Sequence, residues 1–153
     1  MSAILVQPAG VAQLDALAQL FDQYRQFYQQ PADLAAARRF LAARMAAGDA
    51  HALLGFVDGV ALGFTQLYPI HSSVSMRRAF VLNDLYVAPA ARRRGLARAL
   101  IEAAVEHARA EGAVWLRLET ALDNHAAQAL YEQLGWQREQ HFFSYHYSIK
   151  ESQ

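Results

Sequence analysis

Three arginines, a glycine and a small residue stand close together in Arg92-Arg93-Arg94-Gly95-Leu96-Ala97, between an apolar run ending before Pro89 and a long amphipathic segment. The first amides of a helix have no intrahelical partner and carry about half a positive charge, so a tight loop of small residues feeding a helix is an anion site. Gly95 permits close backbone approach, and Ala97 leaves the next turn nearly bare of side chain. Arginines from 92 to 98 suit phosphate oxygens, although the run Arg92 to Arg94 also reads as a solvated charge cluster. Two commoner phosphate loops are excluded. A Walker loop needs a lysine after its last glycine, and a dinucleotide fingerprint needs three spaced glycines; neither is present. Asp84 is a second chemical feature, because it interrupts the apolar run V-L-N-D-L-Y-V. His71, His125, His141 and His146 are titratable but lack metal-ligand spacing, so no metal is expected. The absence of cysteine excludes a thiol nucleophile.

The loop resembles the pyrophosphate loop of the GNAT superfamily of acetyl-CoA-dependent N-acetyltransferases, [QR]-x-x-G-x-[GA], with Arg92, Gly95 and Ala97 in the fixed positions. Six residues alone recur by chance, but the loop follows L-Y-V-A-P, where the family's fourth strand ends. Downstream, the segment Asn124 to Trp136 is similar to the family signature N-x-x-A-x-x-[LF]-Y-x-x-x-G-[FW]. The order and separation of the two motifs, and of the elements around them, extend the resemblance over nearly the whole chain. It implies an α/β fold, the acyl-CoA N-acyltransferase fold: a mixed, twisted sheet of six to seven strands flanked by about four helices, in one domain spanning residues 1–153.

The resemblance also implies roles. Acetyl-CoA is the expected cosubstrate. Its pyrophosphate would sit on the loop amides near Arg93, Arg94, Gly95, Leu96, Ala97 and Arg98, with Arg92 close by. Main-chain groups of Leu85, Tyr86 and Val87 would hold the pantetheine arm as an added strand does. Asn124 would touch the cofactor, or would simply cap the last helix. Tyr131 falls on the family's usual general acid, a phenol with a pKa near 10 that stays protonated at neutral pH and can donate to the departing thiolate; without the motif it would read as a core aromatic. Family members often carry an acidic residue where Asp84 stands, which makes it the expected base; it reads equally as a satisfied polar residue at a strand bulge. Strict alternation allows only one of Asn83 and Asp84 to face the substrate. The end of the first helix forms a wall of the family's acceptor cleft, placing Tyr24, Phe27, Tyr28 and Gln29 near a small-molecule or peptide amine, although Tyr24 also belongs to an apolar core stripe. Two rival readings are a non-catalytic acyl-CoA-binding module and an interaction domain that keeps only the scaffold.

These groups need elements to position them. Ala3 to Val6 reads as a first strand. Apolar residues at 14, 17, 21, 24 and 28 mark one face of a first helix. Asp33 caps a second helix, which Gly48 stops. Two strands, 50–57 and 60–68, flank the hairpin signal Asp58-Gly59, and Gly63 suggests a bulge. Residues 69–78 read as a polar loop, 79–87 as the central strand, 95–111 as a helix and 114–120 as an inner strand. The alternation of Phe143, Tyr145, Tyr147 and Ile149 with polar residues predicts a final strand over 138–150, whose edge must be covered or paired; a homodimer is therefore expected. The chain has 153 residues, 54% hydrophobic and 18% charged, with a formal net charge of zero. That length suits one core, and the charge balance gives no overall field toward nucleic acid or an acidic membrane. With no signal-like or spanning run, a cytoplasmic location is expected.

Overall fold

A computed structural model describes residues 2–149. Its backbone contacts divide the chain into two compact units, one up to Glu119 and one from Thr120 onward. The first unit contains a five-stranded sheet in the order β1 (Ile4–Pro8), β2 (His51–Val57), β3 (Val60–Ser72), β4 (Arg77–Val87) and β5 (Leu116–Arg117). Neighbours are antiparallel except β4 and β5, which are parallel, so the sheet is mixed as expected. Helices α1 (Leu14–Phe27), α2 (Leu34–Ala47) and α3 (Leu96–Ala110) belong to this unit, and α4 (His125–Gln133) to the second.

Local chemistry explains the boundaries. The Asp33 carboxylate accepts a hydrogen bond from the Ala36 amide at 3.0 Å and so caps α2. Gly48, left-handed at φ 65°, ends that helix. Asp58 and Gly59 both have positive φ, 50° and 82°, the backbone that a two-residue β2–β3 hairpin requires. One core forms where Leu17, Phe21, Ala37 and Leu41 from α1 and α2 pack on Leu54, Phe64 and Tyr86 of the sheet. The opposite face receives α3. There the small residues are functional to the packing: a Cβ on Gly55 would lie 2.6 Å from a Leu96 methyl, and one on Gly63 would lie 2.9 Å from the Tyr86 carbonyl oxygen. The bulge expected at Gly63 is next door, where the register passes from Gly55↔Gly63 to Phe56↔Ala61 and leaves Leu62 as the extra residue.

Four expectations change. Residues 69–78 are not a polar loop, because β3 and β4 continue pairing to Ser72↔Arg77 and only 73–76 turn. The inner strand is short, since parallel pairing reaches only Phe80↔Leu116 and Val81↔Arg117; apolar composition permits a strand but does not supply its partner. The final strand is not formed over 138–149, and Lys150 lies outside the described residues. An alternating pattern describes a strand face, whereas a strand exists only through a ladder, and these residues have none among the described ones. The sheet thus has five strands among the described residues instead of six to seven, and the edge on which the expected homodimer rested is not formed.

Candidate active site

Asp84 is the centre of a buried polar cluster on the α1 side of the sheet. A β-bulge puts it there. The register passes from Gln66↔Asp84 to Leu67↔Leu82, which leaves Asn83 as an extra residue on β4. Asp84 is 5% exposed, and each carboxylate oxygen takes an amide donor: Gln66 Nε2 lies 3.2 Å from Oδ2, and Asn83 Nδ2 lies 3.1 Å from Oδ1. Gln66 Nε2 also donates to the Tyr68 hydroxyl at 2.9 Å, and the Thr65 hydroxyl donates to the Asp84 carbonyl oxygen at 2.8 Å. Asn83 and Asp84 differ in exposure, the first exposed and the second buried. At a bulge the alternation slips, and the exposed Asn83 amide reaches the buried carboxylate.

Burial raises the Asp84 pKa above the usual carboxylate value, although hydrogen bonds from Tyr24, Gln66 and Asn83 stabilise the ion and hold the rise down. The same pairing acts on the phenols. Burial first, then the Asp84 charge and hydrogen bond, push Tyr24 far above the ordinary tyrosine value. Tyr68 moves the same way, chiefly through burial. Tyr24, expected both as core and as substrate wall, has features of each: its ring packs edge-on against Phe64 at 5.6 Å and Tyr28 at 5.0 Å, while its hydroxyl serves Asp84. Phe27 and Tyr28, at the end of α1, are each 60% exposed.

The loop before α3 contains two left-handed residues. Gly95 caps the helix at φ 85° and Arg93 is also left-handed at φ 65°. Helical hydrogen bonding begins with the Ala99 amide on the Gly95 carbonyl at 3.1 Å, so the amides of Leu96, Ala97 and Arg98 have no backbone acceptor among the described residues. Arg92, Arg93 and Arg94 are exposed. Arg92 folds back, its Nε donating to the Val87 carbonyl at 3.1 Å and its guanidinium lying 5.9 Å from the Phe27 ring centroid. Arg98 pairs with Glu102 at 3.0 Å. On the other side of β4, pairing with β5 stops at Val81, so Leu85, Tyr86 and Val87 lie beyond that ladder. Tyr86 is buried and its hydroxyl donates to Gln23 Oε1 at 3.3 Å.

In the second unit Asn124 caps α4, accepting from the Ala127 amide at 3.2 Å. Tyr131 lies near the end of that helix with its ring 5.9 Å from Trp136, and Gly135 follows the helix at φ 94°. The structure therefore brings Asp84, Asn83 and Tyr24 together in the first unit and carries Tyr131 and Asn124 in the second. Gln66 and Tyr68 were not foreseen. Their signal was a Thr-Gln pair inside the apolar run V-A-L-G-F-T-Q-L-Y, where buried polar side chains require partners.

The model of the acetyltransferase (GNAT) family matches residues 14–136. An uncharacterized N-acetyltransferase, YhfO, of Bacillus subtilis (strain 168) is 43% identical over 140 residues, covering 92% of this chain and 94% of the relative. The crystal structure of a probable acetyltransferase superposes with a TM-score of 0.91 and 38% identity, over 97% of this chain and 99% of that one. At 21% identity, with a TM-score of 0.79 over 96% and 99% of the two chains, the aminoglycoside enzyme AAC(6')-Iy in complex with a CoA bisubstrate analogue shares the fold. The chain belongs to the GNAT family of acetyltransferases and is an acyl-CoA-dependent N-acetyltransferase.

Proposed function

We propose that the protein transfers the acetyl group of acetyl-CoA to a primary amine of a small molecule or of a protein lysine, with Asp84 as general base and Tyr131 as general acid. The observation that carries this reading is the buried Asp84 carboxylate at the β4 bulge, held by two amides and a phenol beside the aromatic end of α1. Acetyl-CoA supplies the thioester whose acyl carbon the amine attacks. The donor set before α3 fits its pyrophosphate: three helix-start amides, a left-handed glycine and exposed arginines, of which Arg93 and Arg94 carry the side-chain contacts while Arg92 shapes the loop. Backbone groups of Leu85 to Val87 hold the pantetheine arm, and Asn124 contacts the cofactor from its cap position.

The amine sets the energetic problem. An alkylammonium with pKa near 10.4 costs about 4–5 kcal/mol to deprotonate at pH 7. A carboxylate whose proton affinity is raised by burial accepts that proton more readily than an exposed one. Phe27, Tyr28 and Asn83 line the acceptor side, with Tyr24 holding the base. For Tyr131 the support is the match of Asn124, Ala127, Leu130, Tyr131 and Gly135 to the family signature and the helix α4 that carries Ala127, Leu130 and Tyr131.

A free-thiol release assay across polyamines, amino acids, lysine peptides and aminoglycosides tests the reading and identifies the acceptor. With the best acceptor, Tyr131→Phe keeps ring volume and removes one proton, and turnover is expected to fall by about 10²–10⁴-fold with little change in acetyl-CoA affinity. A variant within about threefold of the parent, measured where chemistry limits the rate, rejects the acid role.

A further inference from the structure

The proposed base is held by a residue from another strand. Gln66 is 2% exposed and lies opposite Asp84 across the β3–β4 ladder. Its amide nitrogen has two hydrogens and two acceptors, Asp84 Oδ2 at 3.2 Å and the Tyr68 hydroxyl oxygen at 2.9 Å. An ionised carboxylate only accepts, so the nitrogen must be the atom that faces Asp84. Accepting that bond leaves the Tyr68 O–H free to donate, and the phenol that hydrogen-bonds Asp84 is Tyr24 of α1. The bulge supplies the second restraint, since Asn83 reaches the other carboxylate oxygen from the adjacent position. Asn83 is exposed and Gln66 is not. Of the two amides, only the buried one has no water to take its place.

We propose that Gln66 is a positioning residue for the acetyl-transfer base: by bridging Asp84 and Tyr68 it fixes the carboxylate's orientation and sets the pH at which it can accept a proton. The inference rests on the reading of Asp84 as the base. A hydrogen bond to the charged form favours that form, so removing this donor makes Asp84 harder to ionise. The acidic limb of kcat/KM must then move to higher pH, and a residue that only fills space would not move it.

The test compares the parent with Gln66→Met, which keeps length and volume but has no donor. Two quantities are read: the kcat/KM pH profile with the best acceptor, and the Asp84 carboxyl pKa by carbon-13 NMR. Both are expected to rise together by on the order of one pH unit. Gln66→Glu retains the shape and sets a second carboxyl against the first, so it is expected to shift the limb in the same direction and further; it serves as the measurement if the methionine variant does not fold. An unchanged Asp84 pKa in the folded variants overturns the role of Gln66. A carboxyl pKa that rises while the rate profile stays fixed overturns instead the assignment of Asp84 as base, and the positioning of catalysis falls with it.

Discussion

The two faces of the sheet bury ionisable groups in opposite ways. On the α1 side, Asp84 has a hydrogen-bond donor on each carboxylate oxygen and a phenol besides. On the α3 side, His51 of β2 stacks on His107 with ring centroids 3.5 Å apart and planes within 2°, and Phe80 packs against His107 at 5.5 Å. Burial lowers the pKa of both imidazoles; each also feels Glu111 in the opposite sense, and His107 feels Arg78, which pairs with Glu111 at 3.4 Å. Yet His51 Nε2 is buried with no hydrogen-bond partner among the described residues. Neutral imidazoles can be stacked as flat apolar bodies, whereas a carboxylate kept inside a fold needs donors arranged around it. Three polar side chains gathered at a strand irregularity are thus a stronger pointer to chemistry than a half-buried stacked pair in which one imidazole nitrogen has no hydrogen-bond partner among the described residues.

The largest expected effect separates the two clusters by activity. Asp84→Asn is expected to lower turnover by about 10²–10⁴-fold, the range for losing a general base, while stability at pH 7 stays within about 1 kcal/mol because the amide still accepts one hydrogen bond. His107→Phe preserves a stacked ring and is expected to leave turnover within about threefold. Thiol-release kinetics on variants shown to be folded by circular dichroism check both. A His107 variant as impaired as the Asp84 one would make the two clusters a single functional unit and dissolve the contrast.

How much of this could be read without coordinates differs by the range of the interaction. Local signals were legible: the Asp33 cap, Gly48 at the end of α2 and the Asp58-Gly59 turn each depend on a few neighbouring residues. The loop and the Tyr131 helix carried the family. What was illegible depends on partners far along the chain. Pro69 looked like the end of a strand because its own preferences say so, yet the β4 ladder carries pairing past it to Ser72. The aromatic alternation at 143–149 looked like a strand for the converse reason, a good pattern with no ladder among the described residues to realise it. Gln66 was passed over because its partner is 18 residues away and the bulge that aims it is a property of pairing. Gly55 and Gly63 likewise owe their identity to Leu96 on the opposite face.

The next effect is smaller and has opposite signs on the two faces. Asp84 has a folded-state pKa above its unfolded value of about 3.9, so the native state binds more protons there and stability is lost as pH rises from about 4 through the raised value. His51 and His107 have folded-state values below about 6.5. The unfolded chain then binds more protons, and their contribution is present above pH 6.5 and lost as pH falls through the lowered values. Urea melts across this range should show Asp84→Asn flattening only the carboxylate limb and His107→Phe only the imidazole limb. A single variant that flattened both would mean the faces are electrostatically coupled through the sheet.

The smallest expected difference concerns one hydrogen bond against none. Thr65 is fully buried and its hydroxyl donates to the Asp84 carbonyl oxygen at 2.8 Å, so Thr65→Val removes a donor at nearly constant volume and leaves a buried acceptor. The cost is expected to be about 1–3 kcal/mol. His51→Leu, also close in volume, takes away a buried Nε2 that has no partner among the described residues, along with the stack on His107. Loss of an unpaired polar atom relieves desolvation, which offsets the lost ring contact, and the net change at pH 7.5 is expected to be under about 1 kcal/mol. Equilibrium denaturation at that pH, where both imidazoles are neutral, compares the two directly. A His51 variant destabilised more than the Thr65 variant would show that the stacked pair is a specific structural element in its own right, and that the carboxylate side has no special claim to tightly satisfied polar groups.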